Sequence, residues 1–159
     1  MSDENSPSTD STVTLAYRNI LVPTDGTPGA RLAMDHAIAI AKAFDGTIHA
    51  MSVDEGSGSL HRDQLRNDPE EIATEATEEA ARKGKANGVS VTTVVKSGTP
   101  EQVIVSYAQE TDTDLIVMGT EGRTGLENVL FGSVAEETVR KSSVPVLAVQ
   151  SPESDTTDI

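Results

Sequence analysis

The chain has 159 residues, a length that fits one domain. Its 12 Lys and Arg stand against 26 Asp and Glu, a formal net charge of −14. That balance lacks the basic footprint nucleic acid and anionic membranes require. The absence of cysteine excludes disulfides, thiolate metal sites and cysteine nucleophiles.

The N-terminal residues MSDENSPSTDST are polar and acidic, unlike a signal or transit peptide. No apolar run approaches the ~18 residues of a membrane helix. A soluble, cytoplasmic protein is expected. Residues 1–16 carry Asp3, Glu4 and Asp10, and residues 151–159 carry Glu153, Asp155 and Asp158, with no Lys or Arg in either stretch. Both are rich in Ser, Thr, Asp and Pro, so they are expected as disordered acidic tails flanking an α/β domain at 17–150. The domain is itself acidic and poor in aromatics, with no Trp, two Phe and two Tyr. Such a surface fits a high-salt cytoplasm, where ions screen self-repulsion. An ordinary acidic protein is the plainer reading.

Residues 18–23 (RNILVP) read as a first strand. After the turn Thr24-Asp25-Gly26, Thr27 is placed to cap a helix with Pro28 at its first position. Apolar residues recur there at helical spacing to Phe44, and Gly46 is the expected stop. Residues 47–53 (TIHAMSV) read as the second strand, and 54–67 as a loop with Gly56 and Gly58. Asp68-Pro69-Glu70-Glu71 opens a second helix with a small-residue stripe at Ile72, Ala76, Ala80 and Gly84, ended by Gly88. Residues 91–95 form a third strand. Thr99-Pro100-Glu101-Gln102 repeats the start signal, and Val103, Ile104, Tyr107 and Ala108 mark that helix's buried face. Residues 114–118 (DLIVM) are a continuous apolar strand of the kind covered on both faces. Ser133 and Glu136 read as a capping box opening a fourth helix, with Arg140 and Lys141 in its last turn. Residues 144–150 (VPVLAVQ) form the fifth strand. The alternation predicts an α/β fold: one open, doubly wound parallel sheet of five strands with helices on both faces.

Ligands of such sheets bind beyond the carboxyl ends of strands, where the winding reverses. Two loops stand out: residues 23–27 after the first strand, and the glycine-rich 119–132 after the fourth. The second suits a phosphate, because glycines let backbone N–H groups approach and a helix begins at Ser133. Gly132 is expected to need a φ that a branched residue resists. Alternatively, these glycines only make turns and Ser133 only caps a helix. No Walker A loop is present, nor a G-x-G-x-x-G after the first strand. Asp25 reads either as an Asx turn, as a hydrogen-bonding ligand residue, or as a Mg²⁺ partner beside phosphates. His36, His49 and His61 share no metal-ligand spacing and read as structural or solvated. No metal site is expected.

Gly119-x-x-Gly122, nine further residues and then Gly132-Ser133 resemble the G-2x-G-9x-G-(S/T) pattern of the universal stress protein (UspA) family. NILVPTDGT resembles that family's first strand and SSVPVLAVQ its last, so the likeness spans 17–150. It implies the strand order 3-2-1-4-5, a homodimer and membership of the ATP-binding branch; Mg²⁺ is expected to accompany ATP beside the phosphate loop. Carried onto this chain, Pro23, Thr24 and Asp25 would lie by the ribose and base, and Met118 and Gly119 by the ribose. Gly122, Gly132, Ser133 and Val134 would hold the phosphates, with Arg123 near them. Ser52 and Val53 would lie along the adenine.

Three functions follow. One is a stress-response regulatory protein that binds ATP or a related adenine nucleotide with little turnover, since no Walker lysine or evident base supports fast hydrolysis. The second is a slow ATPase or adenylyl-transfer enzyme. The third is a partner-binding module with an empty cleft. The last strand, apolar on both faces and expected at a sheet edge, is the predicted homodimer contact.

Overall fold

The computed structural model describes residues 12–55, 68–120 and 132–151. The elements are β1 (Asn19–Pro23), α1 (Pro28–Phe44), β2 (Thr47–Asp54), α2 (Pro69–Ala86), β3 (Ser90–Ser97), α3 (Pro100–Glu110), β4 (Leu115–Gly119), α4 (Ser133–Lys141) and β5 (Val146–Val149). All strand pairs are parallel, in the order β3-β2-β1-β4-β5. The expected α/β architecture is therefore present, strand order included. The chain winds from β1 out to β3, then crosses β1 to continue with β4 and β5. Ile20 pairs with Leu115 and Leu21 with Ile116 at that reversal.

Period-two alternation divides the core into two layers. Ile20, Val22, Ile48, Ala50, Leu115 and Val117 meet Ala33, Met34 and Ala37 of α1 on one face. Leu21, Met51, Ile116 and Met118 meet Ile104 and Ala108 of α3 and Ala135 of α4 on the other. β4 is buried from Leu115 to Met118, as its unbroken apolar run predicts.

Several boundaries differ from the sequence reading. Asp45, not Gly46, ends α1: it takes the left-handed conformation at φ 58°, and its N–H donates to the Ala41 carbonyl. Gly46 serves a close approach instead, because a Cβ there would lie 2.9 Å from the Tyr17 carbonyl oxygen. On α2, Ala73, Ala76, Thr77, Ala80 and Gly84 are buried while Ile72 is only half-buried, so the contact stripe takes in Ala73 and Thr77 in place of Ile72. β3 is longer than residues 91–95, and β5 is shorter than 144–150. The Ser142 hydroxyl turns the chain before β5, donating to the Val144 carbonyl at 2.7 Å and accepting from its N–H at 3.0 Å. Most of the predicted loop, 56–67, and most of both predicted tails lie outside the described residues.

Candidate functional site

The loop after β1 is fixed by its own short polar side chains. Thr24 is buried, and its N–H donates to the Met51 carbonyl at 2.8 Å, tying the end of β1 to β2. Its hydroxyl accepts from the Gly26 N–H at 3.2 Å. Gly26 sits at φ +82°, a conformation side chains resist. The Asp25 carboxylate accepts from the Thr27 N–H at 3.1 Å and the Thr27 hydroxyl at 2.6 Å. That is an Asx turn, so the plainest reading of Asp25 is realised. The Thr27 hydroxyl in turn accepts from the Ala30 N–H at 3.3 Å, capping α1 as predicted.

The end of β4 lies beside this loop. A Cβ on Gly119 would lie 2.9 Å from both the carbonyl carbon and oxygen of Gly29, so β4 ends against the first turn of α1. The Thr120 N–H donates to the Val149 carbonyl at 3.1 Å, extending the β4–β5 ladder by one residue. The Thr120 carbonyl accepts from the Gly132 N–H, which seats the start of α4 on the end of β4.

Gly132, not Ser133, is the N-cap of α4, and no side chain caps that end. The predicted capping box fails for this reason: with the cap one residue earlier, Glu136 falls past the position from which it would reach back. Both Ser133 and Glu136 are exposed. Gly132 adopts φ −69° and ψ 160°, open to any residue, so backbone conformation does not demand glycine there. The Glu136 N–H closes the first helical bond to the Gly132 carbonyl at 2.9 Å. By helix geometry the N–H groups of Ser133, Val134 and Ala135 have no partner within α4, and they lie at its positive end.

Pro23, Thr24 and Asp25 thus follow β1, Met118 and Gly119 end the neighbouring β4, and Gly132, Ser133 and Val134 open α4 upon β4. Ser52, buried, and Val53, half-buried, end β2 on the other side of β1. The Met118 side chain packs in the core with α3 and α4, so only its backbone is available to a ligand. Gly122 and Arg123 lie outside the described residues. Pro23–Thr27, Ser52–Val53, Met118–Thr120 and Gly132–Val134 contain no Lys or Arg, so what these segments can offer an anion is N–H groups and the helix dipole. Among the described residues no cluster of His, Asp and Glu is arranged to hold a metal ion.

The sequence reading missed Thr120. It is 4% exposed, and its hydroxyl oxygen is buried without a hydrogen-bond partner among the described residues. Its position in the Gly119-x-x-Gly122 motif was the available signal. His36 is exposed on α1, and His61 lies outside the described residues. His49 shares a hydrogen bond with the Tyr107 hydroxyl through Nδ1 at 3.1 Å, on the face covered by α3. Burial lowers the His49 pKa and raises that of Tyr107.

A doubly wound sheet with a glycine-bearing strand end and an uncapped helix N-terminus beside its reversal defines a class of ligand-binding α/β proteins. The sequence profile of the universal stress protein family matches residues 16–150, and the chain belongs to that family. It is 38% identical to the universal stress protein MJ0531 of Methanocaldococcus jannaschii, over 87% of this chain and 85% of that one. The solved structure of MJ0577, a universal stress protein of the same organism, superposes with a TM-score of 0.74 at 30% identity, covering 86% of this chain and 98% of that one. A universal stress protein solved in complex with cAMP gives a TM-score of 0.66 at 29% identity, covering 85% and 98% of the two chains.

Proposed function

We propose that this chain is a cytoplasmic regulatory protein that binds an adenine nucleotide, ATP with Mg²⁺ in first place, with little or no turnover. The observation carrying this reading is the seating of the uncapped start of α4 on the end of β4, next to the β1 loop. The residues fit the group: the α4 N–H groups suit phosphate oxygens, and a buried hydroxyl at Thr120 lacks a partner among the described residues. The cAMP complex of the related protein supports an adenine nucleotide as the ligand class.

In this reading Gly132, Ser133 and Val134 bind the phosphates through backbone N–H groups. Gly122 and Arg123 are assigned to the same phosphates. Pro23, Thr24, Asp25 and Gly119 border the ribose, with the Met118 backbone, and Ser52 and Val53 flank the base. The nucleotide brings phosphate charge, and Mg²⁺ offsets part of it. The chain's own part is to bind and orient, because among the segments described no Lys or evident base stands ready to activate water.

The reading also includes a homodimer through β5. Among the described residues that strand pairs with β4 on one side only, and Leu147 is 37% exposed.

Nucleotide carried through purification tests the reading. The protein is denatured and the released fraction is run on anion exchange. ATP in the eluate is expected. AMP or ADP alone favours a slow ATPase or adenylyl-transfer enzyme, and an empty fraction together with no binding of added ATP refutes nucleotide binding.

A further inference from the structure

We propose that Thr120 is a further ligand-binding residue of this site, its side-chain hydroxyl donating to a phosphate oxygen of the bound nucleotide. The inference rests on the nucleotide reading above and deepens it.

The direction of the side chain follows from the ladder. Ile116 donates its N–H to the Pro145 carbonyl, and Thr120 donates its own to the Val149 carbonyl, so the strand's alternation still holds at Thr120. Ile116 and Met118 point to the face where Ala135 of α4 packs. Thr120 is next in that row and points to the same face, under the first turn of α4. The Gly132 N–H rests on the Thr120 carbonyl there. A buried hydroxyl without a partner among the described residues is thus placed on the face that α4 covers, at the strand end on which the helix start is seated.

Two other buried threonine hydroxyls are satisfied locally. Thr138 donates to the Val134 carbonyl at 2.7 Å and Thr77 to the Thr74 carbonyl at 2.9 Å. Thr120 Oγ1 has no such outlet among the described residues. A hydroxyl buried without a partner is costly, so stability of the ligand-free chain alone favours valine here. A phosphate oxygen at the α4 N-terminus would accept its proton in a charge-assisted hydrogen bond.

The test compares the unmodified full chain with Thr120→Val and Thr120→Ser. Calorimetric titration with MgATP, melting of the ligand-free proteins and phosphorus NMR of saturating ATP are the readouts. Thr120→Val, nearly isosteric, is expected to melt no lower than the unmodified protein, yet to bind ATP about tenfold more weakly. Its bound ATP should show displaced phosphorus resonances. Thr120→Ser should bind within about threefold of the unmodified chain, since the donor is kept. Equal ATP affinity for Thr120→Val, or unchanged phosphorus resonances, overturns the role of Thr120 while leaving nucleotide binding intact. Failure of the unmodified chain to bind ATP overturns the nucleotide reading, and the role of Thr120 with it.

Discussion

Gly119 at the end of β4 lies so close to Gly29 in the first turn of α1 that a methyl group on Gly119 would stand 2.9 Å from the Gly29 carbonyl. Both partners at the contact are backbone, so no side chain can swing aside. The contact couples the strand end to the helix that carries the β1 loop.

Gly119→Ala is therefore expected to destabilise the fold by about 1–3 kcal/mol, the usual range for overpacking a tight contact. It should also shift the start of α1 away from β4. Urea denaturation checks the first effect. A midpoint equal to that of the unmodified protein would show that the approach is not tight in solution.

The Thr27 hydroxyl accepts from Ala30 and donates to Asp25. Thr27→Ala removes a helix cap and one bond of the Asx turn together, at a cost of about 1 kcal/mol. Asp25→Ala removes the acceptor of two Thr27 bonds and leaves the α1 cap in place, so it should cost a similar amount of stability. If Asp25 also touches the ribose, its loss should weaken nucleotide binding beyond what Thr27→Ala does. Melting and calorimetry on both variants separate the two effects.

His49 gives the fold a pH dependence of known sign. Burial holds its pKa below 6.5, so the unfolded chain takes up its proton first as the pH falls. Stability from this group is intact above 6.5 and declines from there down to the lowered folded value. Protonation also makes Nδ1 a donor, so the Tyr107 oxygen must then accept, with Lys96 Nζ 5.8 Å from the Tyr107 ring centroid. His49→Gln should flatten the stability profile between about pH 7.5 and pH 5.5. An equally steep profile in the variant would place the pH dependence elsewhere.

Two apolar residues of β5, the strand of the proposed dimer contact, differ in burial. Leu147 is 37% exposed, whereas Val149 is 7% exposed and belongs to the core layer under α1. Leu147→Asp should therefore give a folded monomer, while Val149→Asp should unfold the chain, because a lone buried carboxylate is strongly disfavoured. Light scattering and circular dichroism distinguish these outcomes. A monomeric unmodified protein at high salt would refute the dimer through β5.

How far the sequence reaches is clear from particular residues. The β4 run was legible because a strand buried on both faces has no room for alternation, and Leu115 to Met118 carry none. The α1 start was legible because Thr27 and Pro28 satisfy two distinct local demands of a helix end. The start of α4 was misread by one residue, since Ser133 matches a capping box on paper and only three-dimensional contact with Thr120 moves the cap to Gly132. Gly46 was misassigned because a helix stop and a close approach both call for glycine. Thr120 was legible only as a position inside the glycine motif, because an orphaned hydroxyl is a property of packing, not of pattern.

The charge of −14 predicts that stability depends on salt. The screening length falls from ~30 Å near 0.01 M salt to ~3 Å at 1 M, so self-repulsion should fade across that range. The melting temperature should rise with KCl. A flat response would count against a surface adapted to high salt.

Calorimetric titration of the unmodified protein with MgATP, in molar KCl, tests the central claim most directly. The account predicts saturable binding of one nucleotide per chain, accompanied by an upward shift in melting temperature. No heat and no thermal shift with millimolar ATP, AMP or cAMP would contradict it.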